Sequence, residues 1–99
     1  MNVTLITTDG SRKKINIKSF DEARQLVCNY QYNSSAEIIV LMDGSFILFD
    51  EEGKLKNLKI NEIATEIAHD NNCLYPSDCI VGDVIMVDDI DEFDSLPFE

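Results

Sequence analysis

After Lys59 the sequence contains no lysine and no arginine. In the first 60 residues eight acids and eight bases cancel, while the remaining 39 residues carry eleven acids, so the whole net charge of −11 lies there. A surface of that sign repels a phosphate backbone and draws cationic partners, which excludes direct nucleic-acid binding. No apolar run approaches the ~20 residues needed to span a bilayer. The opening "MNVTLITTDG" lacks the basic start and apolar block of a secretory leader. A cytoplasmic protein with no membrane contact is therefore expected.

Chemistry is scarce as well. Cys28, Cys73 and Cys79 are odd in number, unlike a disulfide framework, and read as free thiols. Cys73 and Cys79 with one neighbouring histidine fall short of a four-ligand zinc set. The four glycines are never closer than nine residues, so no phosphate-cradling loop forms. His69 and Cys73 stand four apart, but Asn71-Asn72 ends the helix between them, which leaves His69 a surface residue. In "DEEGK" the acids are wrongly ordered for a calcium loop. No catalytic residue, metal or cofactor is expected.

What is present is a pattern of elements. "NVTLIT" and "RKKINIKS" flank an Asp-Gly turn, and "EIIVLMDGSFILFD" repeats the arrangement, giving two expected hairpins. Both turn residues tolerate positive φ, and Gly53 offers a left-handed turn after the second hairpin. Ser19 followed by Glu22 forms a capping box ahead of a stripe made by Phe20, Ala23, Val27 and Tyr30. Asn61 can cap a second helix with Ile63, Ala64, Ile67 and Ala68 on its apolar face. "KLKNLKI" reads as a loop or short strand, and "CIVGDVIMV" as a final strand interrupted by Gly82. The expected fold is α+β: a mostly antiparallel sheet of about five strands with two helices packed on it. Residues 1–87 form the compact domain, and 88–99 an acidic tail.

That tail interleaves Asp88, Asp89, Asp91, Glu92 and Asp94 with Ile90, Phe93, Leu96 and Phe98. It reads either as a solubilising run or as a segment that orders on a basic, partly apolar groove. Under the second reading Glu62 and Glu66 extend the same negative surface, and Phe93 is its apolar anchor. A different reading places a nucleotide or other small ligand against Tyr32, Lys54, Lys56 and Lys59.

The stretches "FDEARQLVCNY", "FDEEGKLKNLKIN" and "DCIVGDVIMV" together resemble the family catalogued as domain of unknown function 3846, found mainly in bacteriophages, plasmids and integrated mobile elements. Asp50 to Leu55, Asn61 and Asp78 to Gly82 match its pattern. Cys28-Asn29 stands where that pattern has a glycine pair, and Lys59-Ile60 where it has prolines. The resemblance implies a mobile-element origin and a compact α+β domain, and it supplies no catalytic residues. With the charge, it leads to the expectation of a non-enzymatic interaction protein. Such a protein would bind and inhibit a host nucleic-acid-handling defence protein through its acidic surface, in the style of anti-restriction and anti-CRISPR inhibitors that mimic DNA. The alternative is a small-ligand binding module or nucleotide sponge.

Overall fold

The computed structural model describes residues 1–28 and 35–98. Strands β1 (Asn2–Ile6) and β2 (Arg12–Asn16) form the first hairpin, and helix α1 (Phe20–Cys28) follows. Strands β3 (Ala36–Val40) and β4 (Phe46–Asp50) form the second hairpin. Helix α2 (Glu62–Asp70), strand β5 (Val84–Val87) and helix α3 (Ile90–Asp94) complete the chain. The five strands lie in the order β2-β1-β5-β4-β3, and every pairing is antiparallel. The fold is the expected α+β sheet, with a short third helix added. No helix of the described residues is long and apolar enough to cross a membrane.

Strand β5 is last in sequence and central in space, which explains its unbroken Val-Ile-Met-Val run: both of its faces are covered. Ile85 and Val87 join Val3, Phe46 and Leu48 under α1, beside Ala23, Val27 and Phe93. Val84 joins Ile6 and Ile47 on the other face, beside Ala64 and Ala68 of α2. The period-two alternation of the strands thus feeds two cores at once, one on each side of the sheet. The two alanines of α2 have no exposed surface, and such small side chains let the helix lie close on the strands.

Both hairpins use one device. Thr7 N–H donates to Ser11 O and Leu41 N–H to Ser45 O, closing three-residue loops, and only the glycine of each takes positive φ (Gly10, +92°; Gly44, +89°). This is the three-residue loop ended by a left-handed glycine, not the two-residue turn in which both residues need positive φ. Asp9 and Asp43 instead accept from the serine N–H two residues on, at 2.9 Å each. The Thr7 hydroxyl holds the Asp9 carboxyl below its ordinary pKa, and the Ser45 hydroxyl does the same for Asp43.

Between β4 and α2 the chain makes turns and forms an isolated bridge, Ile60 to Val81, ahead of β5. Asn57 supplies the left-handed residue there, at φ +55°, not Gly53. Gly53 is needed for room: a Cβ at that position would stand 2.7 Å from Val81 Cγ2. Gly82 combines φ +81° with a close approach to Leu58, and the strand expected from Cys79 starts only at Val84.

Asn61 caps α2 and is wholly buried. Its Oδ1 accepts from Ala64 N–H at 3.0 Å, while its Nδ2 donates to Ile6 O at 3.0 Å and Gly82 O at 2.9 Å. Its own N–H donates to Ile80 O at 2.8 Å. Ser19 caps α1 through Glu22 N–H at 3.1 Å, but the Glu22 carboxylate returns to Lys18 N–H, one residue before the position a capping box uses.

The expectation of a tail set apart from the domain does not describe residues 88–98. Phe93 is only 7% exposed and meets Phe46 edge-on at 5.1 Å and Phe20 at 5.7 Å between ring centroids. Phe98 stacks on Phe20, also at 5.7 Å between ring centroids. Beyond α3, Pro97 O and Phe98 O accept from Phe20 N–H and Asp21 N–H, satisfying amides that the first turn of a helix leaves open. These residues finish the core and cap α1.

Two stability measurements follow. Phe93→Ala removes a core ring and is expected to cost about 3–5 kcal/mol in urea unfolding; a loss within about 0.5 kcal/mol, as at an exposed position, would restore the detached tail. Asn61→Ala strands two carbonyls and one amide in the interior and is expected to cost roughly 2–4 kcal/mol. Wild-type stability in that variant would show that the amide is not the joint described here.

Candidate functional site

Strand β5 leads directly into the acidic stretch, so the position of those carboxylates follows from the central strand. Asp89 caps α3, its Oδ1 accepting from Asp91 N–H at 3.0 Å and Glu92 N–H at 3.1 Å. Asp88, Asp91, Glu92 and Asp94 are exposed, and none is in an ion pair among the described residues. A five-residue helix therefore carries a dense group of open carboxylates, held by the aromatic ring of Phe93 beneath it.

The other acids chosen from the sequence do not join this group. Glu62 and Glu66 are exposed on α2, which packs on the opposite face of the sheet. The N-terminal end of α2 is bonded through Asn61 to Ile6 and Gly82, where β1 ends and β5 begins. Helix α3 follows the far end of β5. The two sets thus differ in both face and end of the sheet, and the single surface expected from Glu62 through Asp94 is not formed. Phe93, expected to anchor a partner, is spent on the protein's own core.

Two of the three lysines of the ligand reading, Lys54 and Lys56, are engaged with acids. Lys56 Nζ lies 2.6 Å from Asp50 Oδ2, and the Asp50 side chain has no exposed surface. The same ammonium reaches Cys28 O at 3.4 Å, where a cation suits the end of α1. Lys54 pairs with Asp78 at the surface, and Lys59 is exposed. The hydrogen bond to Asp78 raises the Lys54 pKa, and the Lys54 ammonium lowers that of Asp78. Lys54 borders a cleft of about 320 Å³ whose other charged lining residues are Glu37, Asp50, Glu51 and Asp78. Such a wall is negative and disfavours a phosphate. Tyr30 and Tyr32 lie outside the described residues.

His69 and Cys73 do not act together. Nε2 of His69 faces Tyr75 O at 3.2 Å and Asp78 O at 2.9 Å; a carbonyl only accepts, so this nitrogen carries the proton and pins the loop. Its role is that of a loop clasp rather than a bare surface residue. The Cys73 thiol donates to Val40 O and Asn71 O, each at 3.4 Å. All three cysteines are free, and burial pushes the Cys28 thiol up. Among the described residues no three His, Cys, Asp or Glu gather as a metal site.

Comparison with protein-family models, with curated proteins and with solved structures finds no match to this chain.

The two lysine pairs predict different outcomes. Lys56→Met leaves the Asp50 carboxylate buried without its cation and is expected to cost about 3–5 kcal/mol. Lys54→Met breaks an exposed pair and should barely move the unfolding midpoint. Equal losses would contradict this division. The folded-state pKa of Asp78 is depressed, so its contribution is present above the ordinary aspartate range and fades as pH falls through the lowered value. In Lys54→Met the Asp78 titration, followed by carboxyl NMR, is expected to move upward.

Proposed function

We propose that this chain is a non-enzymatic interaction protein that captures a basic partner surface with the carboxylates carried by β5's exit and α3. The observation that carries the reading is that Asp88, Asp91, Glu92 and Asp94 are exposed and unneutralised among the described residues, while Lys54, Lys56 and Arg24 are engaged with acids elsewhere. Bringing opposite charge to such a group raises the association rate and fixes orientation. The aromatic packing of Phe93 holds the carboxylates on ordered backbone, so binding need not order a floppy tail first.

The resemblance to mobile-element proteins gives this activity its biological form. The partner is a host nucleic-acid-handling protein of a defence system, acting in the host cytoplasm, and the carboxylates occupy the place of DNA phosphates in its basic groove. Glu62 and Glu66 belong to a separate negative surface. The ligand-sponge alternative gains no support from a cleft whose lysine is paired and whose remaining charges are negative.

The test compares Asp88→Asn/Asp91→Asn/Glu92→Gln/Asp94→Asn with Glu62→Gln/Glu66→Gln. Each protein is immobilised and exposed to host lysate with and without competing duplex DNA. The first variant is expected to lose a DNA-competed, salt-sensitive capture that the second retains. Capture of the same protein at full strength by the α3 variant would end the proposal.

A further inference from the structure

Among the described residues the two outer strands of the sheet, β2 and β3, pair with no further strand, and they are built differently. Strand β2 carries Arg12, Lys13 and Lys14, all exposed, the charged dressing with which natural sheets keep other strands away. Strand β3 reads Ala-Glu-Ile-Ile-Val and leaves Ile38 44% and Val40 53% exposed.

The hydrogen-bond parity of β3 can be fixed. Leu41 N–H donates to Ser45 O, and Glu51 N–H to Ser35 O. In an antiparallel ladder bonded pairs alternate. Residues 35, 37, 39 and 41 therefore turn their backbone groups toward β4, and Ala36, Ile38 and Val40 turn theirs outward. The next outward amide, Met42 N–H, is already taken by Asn71 Oδ1 at 3.0 Å, which closes the edge at that end. Val40 O accepts the weakly donating Cys73 thiol and keeps a second lone pair.

We infer that β3 is a self-association edge: two copies pair their β3 strands antiparallel about a two-fold axis at Ile38, joining two five-stranded sheets into one. The occupant is a second copy because the strand is complementary to itself in this register. Ile38 meets Ile38 of the second copy, and Ala36 meets Val40 in both directions, so every open N–H of the strand finds a carbonyl. On the other face Glu37 stands opposite Ile39, so no like charges are opposed. A register shifted by one residue sets outward groups against inward ones, and a shift toward Met42 runs into Asn71. The contact is isologous and closes at two copies. One strand per copy makes a small interface, so the dimer forms only at raised concentration.

Sedimentation equilibrium across a concentration series, with amide exchange followed by NMR, tests this. The mass is expected to rise from 11.2 kDa toward twice that value. In step, the amides of Ala36, Ile38 and Val40 gain protection while those of Glu37 and Ile39, already bonded to β4, stay unchanged. Ile38→Lys sets two cations across the axis, and Ile38→Pro removes the axial amide without touching the β4 ladder; both are expected to sediment as monomers. Added salt strengthens self-association, because each copy carries −11, whereas it weakens capture of a basic partner, so the two proposals fail separately. A constant mass of 11.2 kDa overturns the inference. So do masses passing two copies, protection gained elsewhere, or dimers that survive both substitutions. Should either variant fail to fold, the wild-type exchange pattern alone decides.

Discussion

The buried amide of Asn61 is the joint on which the architecture turns. One side chain stops the first turn of α2, holds the end of β1 through Ile6 and holds the entry to β5 through Gly82. A buried amide that satisfies three backbone groups is costly to replace, because each orphaned group keeps its desolvation penalty. Thr65 repeats the connection one turn later, exchanging hydrogen bonds with both the N–H and the C=O of Ile80. Residues 80–82 are thus clamped before the central strand begins. The crowding of Gly53 and Gly82 against Val81 and Leu58 follows from that clamp, since the loop must lie flat on it.

At the other end of β5 the joint is aromatic. Phe46, Phe93, Phe20 and Phe98 form a continuous series of ring contacts linking β4, α3, α1 and the residues after α3. Edge-on and offset ring contacts add to simple burial. The central strand is therefore fixed by polar bonds where it enters and by rings where it leaves. The carboxylates proposed for partner capture sit on the ring-packed end.

The hairpins, the helices and the cap at Asn61 were legible because their signals are local: Asp-Gly between β-branched runs, apolar steps of three and four, a capping side chain before a helix. The third helix was not. Ile90, Phe93 and Leu96 do recur at three-residue steps, but the three acids among them and the two just before read as solvent-facing, and the rings that bury Phe93 belong to Phe20 and Phe46, far away in sequence. The candidate acidic surface was misread for a related reason. Glu62 and Asp94 belong to one uncompensated charge run, yet the sheet runs between their helices, and no sequence pattern says which face a helix will cover. The pairing of Lys54 was hidden for the same reason, because its acid, Asp78, lies 24 residues further along the chain.

The distribution of charge follows from the same division of labour. Lys56 and Arg24 lie in contacts that build the fold, the first with a carboxylate that has no exposed surface, the second with Asp21 one helical turn back. Asp89 is used at the surface as a cap, and Asp50 is buried as the partner of Lys56. The acids that the structure does not use include two separated sets, Glu62 with Glu66 on α2 and the carboxylates around α3. A partner surface that reached both sets would have to pass around the edge of the sheet, whereas a groove fitted to α3 alone meets a short, rigid, strongly negative element. Because the Phe93 ring already fixes that element, the entropy of ordering it is spent in folding rather than in binding. Affinity for the proposed basic partner would then rest on how closely its cations match a preset array. That separates the structure from an acidic tail of equal charge, which can drift toward any basic surface and discriminates among them poorly.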